Sequence, residues 1–328
     1  MTDPPRESLC LVVNPRAGSG TAGRRLARLA RLAEEVFPTV DVRRTEDRGH
    51  ASLLARSAAA EGFDVVAAVG GDGTCHEVVN GLMDPGASSG PELPAGGGRL
   101  PVFTVVPFGT GSDLIRSLGI PRDTRAALRL ARVGETRSLD VGWARTHGPE
   151  GEQIHRYFVN ELSFGMSGEV VARVNRSSKR LGGRVSFLGA TLSTLAAARP
   201  SSVRITWEGP QGSGSWDQPF LASFVANGQY CGGGMWVGRG GSMTDGLLDV
   251  TVVPALSVLK AIPSLPRLYN GTTDRVPGAV RVLARKVEAR ALDPAKSPIP
   301  VETDGEQAGY LPLVLEVRPN ALRVCGAW

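Results

Sequence analysis

The sequence predicts an α/β domain built on a mostly parallel sheet, followed by a mainly antiparallel β-sandwich domain. Three observations carry this expectation. Through roughly the first 140 residues, short apolar runs alternate with segments of helical periodicity. After residue 138, strand-like segments succeed one another, parted by turns that carry Gly and Pro. Three of the early apolar runs also stop at glycine-bearing turns that open helices, a corner suited to ligands in α/β folds. The expected limits are 8–136 for the first domain and 137–315 for the second, with 316–328 a candidate to pack back onto the first.

Along the chain, Leu9-Cys10-Leu11-Val12-Val13 reads as a buried strand. Residues 21–36 read as one helix with Leu26, Leu29, Ala30 and Ala33 on a single face. A short strand over 40–44, an Ala- and Leu-rich helix over 51–61, a strand over 65–69, a helix over 77–83 and a strand over 102–106 follow. Helical segments over 112–117 and 124–133 complete this domain, and the stretch 85–98, rich in Gly, Pro, Ser and Ala, reads as a surface loop. In the second domain strands are expected over 139–143, 156–160, 203–207, 220–226, 248–253 and 280–285, with helices over 185–198 and 256–269. A chain of this plan is expected to bind its ligand in the cleft between domains.

Composition narrows the function. The 328 residues are 41% hydrophobic and 21% charged, as in a soluble globular protein with a packed core. No apolar run approaches the ~20 residues that span a bilayer, and the N-terminus lacks the apolar core of a secretory signal, so a cytoplasmic location is expected. Cys10, Cys75, Cys231 and Cys325 show no metal-ligand spacing and read as reduced thiols. The histidines (His50, His76, His147, His155) show no pairing for zinc or for a nucleophile's base. A net charge of +5 invites an anionic partner. Arg24, Arg25, Arg28 and Arg31 recur along one helix, and Arg173, Arg176, Lys179, Arg180 and Arg184 form a second basic stretch. No nucleic-acid-binding motif accompanies them, so nucleic acid is not expected; peripheral contact with an anionic membrane surface is.

The chemistry concentrates at the three corners. Gly70-Gly71-Asp72-Gly73-Thr74 follows a buried run and precedes a helix. Glycines there admit a ligand close to the backbone, and the helix N-terminus favours an anion. A carboxylate in such a turn suits a phosphate that brings a divalent metal, so a nucleotide–metal site is inferred. Asn14-Pro15-Arg16-Ala17-Gly18-Ser19-Gly20 forms a second corner, which is not a Walker A loop because no Gly-Lys-Ser/Thr follows. The third, Pro107 to Arg116, supplies the hydroxyls of Thr110 and Ser112 and an acid, Asp113, although helix capping alone would explain the last two.

These blocks, with Glu77 and Asn80-Gly81, resemble the catalytic domain of diacylglycerol kinase-type lipid kinases, which include soluble bacterial members and the sphingosine and ceramide kinases. The resemblance continues through Asn160 to Gly165, Ala226-Asn227-Gly228, Gly232-Gly233-Gly234, Asp245 to Asp249 and Thr303-Asp304-Gly305-Glu306. It departs at His76 and Ser112, where Asn is common, and at Leu114, where Phe is common. It implies a three-layer NAD kinase/diacylglycerol kinase-like first domain and transfer of the γ-phosphoryl group of ATP to a lipid hydroxyl, with Mg²⁺. It further implies that Asn14, Pro15, Arg16, Ala17, Gly18, Thr45, Gly70, Gly71, Gly73, Thr74, Glu77 and Thr110 contact the nucleotide, and that Asp72 engages the ATP-bound Mg²⁺. Glu306 is implied as proton acceptor for the lipid hydroxyl, with Asp304 its partner or a metal contact. Ser242, Asp245 and Leu247 match a second, structural Mg²⁺ site, where Asp245 could equally be a turn residue. The implied partner is a lipid alcohol, diacylglycerol or a relative, and a homodimer is a candidate assembly. The rival readings are an NAD kinase-like phosphotransferase and a catalytically silent nucleotide- or lipid-binding regulator.

Overall fold

The computed structural model describes residues 4–83, 100–108, 113–169, 201–293 and 298–327. The expected loop over 85–98, the helix over 185–198, the basic stretch 173–184 and both Thr110 and Ser112 lie outside these residues. The chain forms two compact units, Met1–Leu139 with Asn320–Trp328, and Asp140–Pro319.

The first unit is organised by strands β1 (Ser8–Val13), β2 (Thr39–Arg44), β3 (Val65–Gly70) and β4 (Val102–Pro107). Their order is β4-β3-β1-β2, every pair parallel, and Val324, near the end of the last strand of the chain, adds in parallel beside Phe103 of β4. Every residue of β3 is buried, which is why its sequence is a continuous apolar run rather than an alternating one. Helices α1 (Ala17–Arg24), α2 (Leu26–Glu34), α3 (His50–Ala60), α4 (Asp72–Met83), α5 (Asp113–Ser117) and α6 (Thr124–Val133) occupy the connections. Leu29 and Ala33 of α2 and Leu128 and Ala131 of α6 join Leu9, Leu11, Val65, Ala67 and Val102 in one core. The Asp123 carboxylate caps α6 by accepting from Ala126 N–H at 2.9 Å.

Two helices differ from expectation. The single helix over 21–36 is divided at Arg25 (φ −102°, ψ 7°), and helical turns already begin at Ala17. The helix expected over 77–83 starts five residues earlier, at Asp72, because Thr74 and Cys75 N–H both donate to Gly71 O and turn the glycine motif itself into the first helical turn. Gly81 lies on α4 where a Cβ would stand 2.1 Å from Ser52 O, so glycine lets α4 approach α3.

The second unit is a β-sandwich. Strands β5 (Thr136–His147), β6 (Gln153–Phe158), β7 (Glu161–Gly165), β8 (Ser201–Gly209), β9 (Gly212–Trp216), β10 (Pro219–Ala226), β11 (Leu248–Pro254), β12 (Val280–Ala284), β13 (Lys286–Ala291), β14 (Pro300–Thr303) and β15 (Glu306–Cys325) supply it. The order β12-β11-β10-β7-β14-β15 is antiparallel throughout, and β13 pairs with β15 and β8. A bulge between Phe220 and Ala222 reverses the faces of β10. Phe220 and Val225 therefore enter the main core with Phe158, Phe164 and Leu248, while Ala222, Phe224 and Ala226 face a second core with Met235, Val237 and Val253. The helix expected over 256–269 is broken into α7 (Val258–Ala261), a 3₁₀ turn (Ile262–Ser264) and α8 (Leu265–Tyr269), with Pro263 in the 3₁₀ turn and Pro266 at the start of α8.

Candidate active site

The glycine corners of the first unit share one sheet edge. The chain passes from β1 outward to β2 and returns to β3 on the other side of β1, so strand order reverses between β1 and β3. Ligands of open α/β sheets settle beyond the carboxyl ends of strands at such a reversal. Asn14 stands at the end of β1 and Gly70 to Thr74 at the end of β3. Asn14 N–H donates to Val69 O at 3.0 Å, and Asn14 Nδ2 lies 3.4 Å from Thr74 Oγ1. Asn14 Oδ1 accepts from Arg16 N–H at 3.0 Å and fixes the start of the loop. Gly18, Ser19 and Gly20 then take positive φ angles of 58°, 56° and 81°. A Cβ at Gly18 would sit 2.2 Å from Phe108 O, and one at Gly70 2.3 Å from Thr74 Oγ1. Thr45 joins the same edge, its N–H donating to Val13 O at 2.9 Å.

Asn14 to Gly18, Thr45 and Gly70 to Thr74 are thus gathered around one strand-end reversal. The half-buried Asp72 opens α4, at the positive end of its dipole. Side-chain-free backbone beside a helix N-terminus fits a phosphate chain, and an oxygen donor at Asp72 fits the divalent cation such a chain carries. Glu77 lies further along α4. Its carboxylate accepts from Ala51 N–H at 3.1 Å, and its carbonyl from Ser52 Oγ at 2.7 Å, fastening the N-terminus of α3.

In the second unit Asp304 and Gly305 form the two-residue turn joining β14 to β15, both with positive φ (49° and 84°). Asp-Gly is suited to such a hairpin because Asp tolerates, and Gly readily adopts, this conformation. The Asp304 carboxylate is directed into the protein, accepting from Val159 N–H at 3.1 Å, Asn160 N–H at 2.9 Å and Glu161 N–H at 3.0 Å. It locks the turn to the start of β7. The half-buried Glu306 begins β15 and pairs across the hairpin with Thr303.

Sequence reasoning missed the acid beneath this turn. Glu302 is 1% exposed, accepts from Gly305 N–H at 2.8 Å, and receives a hydrogen bond from Ser163 Oγ. Burial pushes its carboxyl up from the ordinary value, against hydrogen bonds from Glu161, Ser163 and Gly305 that pull it down. Glu161 is also buried, on the neighbouring strand β7. Asn227, noted only within a motif, ties the region together: its Nδ2 donates to Asp140 O at 2.8 Å and Val159 O at 2.7 Å.

Ser242, Asp245 and Leu247 lie on one loop, turned by Gly246 at φ 70°. The fully buried Asp140 holds it, with Oδ2 accepting from Gly246 N–H at 2.7 Å and its own N–H donating to Met243 O at 2.8 Å. Asp245 Oδ1 accepts from Leu247 N–H at 3.0 Å. Among the described residues, no three His, Cys, Asp or Glu side chains cluster to hold a metal, so a cation here would depend on main-chain carbonyls beside Asp245. Such all-oxygen donors fit Mg²⁺. The cysteines are all buried and form no disulfide, and burial pushes the Cys10 thiol up to about 12.

Comparison with known proteins agrees with this arrangement. The diacylglycerol kinase catalytic domain model matches residues 8–144, and the YegS C-terminal NAD kinase beta sandwich-like domain model matches 160–326. A Xanthomonas oryzae pv. oryzae protein named "Probable lipid kinase YegS-like" is 30% identical over 270 residues, 81% of this chain and 80% of the relative. A Bacillus subtilis "Diacylglycerol kinase" is 26% identical over 303 residues, 92% and 90% of the two chains. A crystal structure of a diacylglycerol kinase from Bacillus anthracis str. Sterne shares the fold, with a TM-score of 0.70, 22% identity and coverage of 98% of this chain and 97% of that one. The fold extends to yeast NADH kinase, at a TM-score of 0.50 and 10% identity, covering 98% of this chain and 84% of that one. The chain belongs to the diacylglycerol kinase and YegS-like family of lipid kinases.

Proposed function

We propose that this chain transfers the γ-phosphoryl group of ATP to the hydroxyl of a lipid alcohol, diacylglycerol or a related lipid, in a Mg²⁺-dependent reaction at a membrane surface. The observation that carries the reading is the convergence of Asn14 to Gly18, Thr45 and Gly70 to Thr74 on the reversal between β1 and β3, with Asp72 opening α4. Phosphoryl transfer asks a protein mainly for positioning and charge neutralisation, which backbone N–H groups and a helix N-terminus supply. Bound Mg²⁺ would neutralise phosphate charge, held there by Asp72; Asp245 with the carbonyls of Ser242 and Leu247 would hold a second, structural ion. Glu306 accepts the proton of the lipid hydroxyl. Asp304 positions it, by pinning the turn to residues 159–161.

The test is transfer from γ-labelled ATP to a panel of lipids, with NAD as a rival acceptor and Asp72→Ala and Glu306→Ala as controls. A labelled lipid made by the wild type and lost in both variants supports the reading. Phosphorylated NAD without a lipid product, or ATP binding without turnover on any acceptor, overturns it.

A further inference from the structure

The face of the second unit formed by α7, α8 and the turns around them differs from the rest of the described surface. Among the described residues six large apolar side chains are exposed, and three of them lie here: Leu259 (85%), Ile262 (48%) and Tyr269 (47%). Their inward neighbours Ala261 and Leu268 pack on the protein, so the short helices have one face on the core and one in the open. Lys260 and Arg267 are interspersed among them. Apolar residues outward, cations between them and, among the described residues, no helix long and apolar enough to cross a bilayer fit an element that lies in a membrane interface.

The segment leads directly into a cavity of about 400 Å³ lined by Arg239, Arg275, Arg281, Thr272 and Asp274. The walls are fixed by specific contacts. Arg281 Nε is 2.8 and 3.0 Å from the two carboxylate oxygens of the buried Asp249, and its Nη2 donates to Arg239 O at 2.7 Å. The Arg239 guanidinium lies over the Trp236 ring at 5.3 Å. Gly271 admits both, since a Cβ there would meet Arg239 Cδ at 2.7 Å and the indole at 3.0 Å. Three guanidinium groups set against the carboxylates of Asp274 and Asp249 leave one unit of positive charge. That balance suits a phosphodiester, which carries one negative charge, better than a dianionic phosphate monoester.

We propose that this face docks on an anionic phospholipid bilayer, seating one phosphodiester headgroup in the arginine cavity while Leu259, Ile262 and Tyr269 enter the interface. The inference deepens the lipid-kinase reading, which supplies the reason to visit a bilayer, and locates the contact on residues outside the proposed chemical site.

The test is sedimentation of the full chain with phosphatidylcholine vesicles, with and without phosphatidylglycerol. Arg239→Ala with Arg275→Ala removes two cations worth about fivefold each at an anionic surface, so vesicle binding is expected to fall by up to about 30-fold. Leu259→Ser with Ile262→Ser is expected to weaken it at least about tenfold through lost apolar burial. Unchanged melting temperatures, and unchanged lipid phosphorylation in neutral detergent micelles, show that neither pair has unfolded the protein. Wild-type vesicle binding by both variants overturns the inference. So does displacement of the wild type from vesicles by millimolar inorganic phosphate that also raises its melting temperature, and not that of the arginine variant, because the cavity then serves free phosphate. A wild type that binds vesicles through these residues yet phosphorylates no lipid overturns the kinase reading and leaves the docking face standing.

Discussion

Replacing Asp304 separates a positioning role from a direct one. Its carboxylate receives three backbone N–H groups, from Val159, Asn160 and Glu161. Hydrogen bonds to a charged group contribute about 1.5–3 kcal/mol each, and three that share one carboxylate are not additive. Alanine also loses the tolerance that Asp has for φ 49°, a penalty of about 1 kcal/mol. Together these place Asp304→Ala at a loss of about 4 kcal/mol. Asp304→Asn retains the turn conformation and the oxygen that serves Asn160 and Glu161, but presents an amide N–H₂ to the Val159 N–H, so about 2 kcal/mol is expected. Urea unfolding at pH 7 followed by tryptophan fluorescence reads this out, because Trp143, Trp207, Trp216 and Trp236 all lie in the second unit. The same variants should lower kcat in parallel with their stability loss, as the turn carrying Glu306 loosens. An Asp304→Ala protein that unfolds like the wild type but has no activity would refute this reasoning and move Asp304 into direct contact with substrate or metal.

The remaining predictions follow from single contacts. Gly18→Ala places a Cβ 2.2 Å from Phe108 O at a positive φ, so it should destabilise the first unit by roughly 2–4 kcal/mol and raise the KM for ATP, measured by thermal unfolding and kinetics. Glu302→Gln tests the buried acid through pH. The folded carboxyl holds its proton above the ordinary value of 4.5, so wild-type stability falls as pH rises from there through the folded value. Glutamine carries no charge and removes that slope. The variant should match the wild type near pH 4 and exceed it in melting temperature at pH 8; a constant difference across the range would count against a protonated Glu302.

Much of this molecule is legible in the sequence, and the failures have causes. The continuous apolar runs of β1, β3 and β4 mark strands buried on both faces, and the glycines that end them mark the strand-end corners. Strands β13 to β15 escape because Lys286 to Ala291 alternates charge with small apolar residues and β15 carries Pro312 and Pro319. The start of α4 is hidden by Gly71 and Gly73, which disfavour helix locally, and by Gly70 at the end of β3, where a Cβ would meet Thr74. Asp304 is visible as an acid of a turn, yet the direction of its carboxylate depends on β7 lying beside β14, a long-range pairing. Glu302 is the clearest case. Nothing in the residues beside it marks it as buried, and only the register that sets it opposite Ser163 shows that it is.

The measurement that bears most directly on the central claim is single-turnover transfer from γ-labelled ATP to diacylglycerol in mixed micelles, comparing the wild type with Asp72→Ala and Glu306→Gln. Loss of a charge-neutralising group or a general base removes about 10²–10⁴-fold of rate. Labelled lipid from the wild type, with losses of that order in both variants and melting temperatures unchanged, is the expected result. Wild-type rates in either variant, or label appearing on NAD and never on lipid, would contradict it.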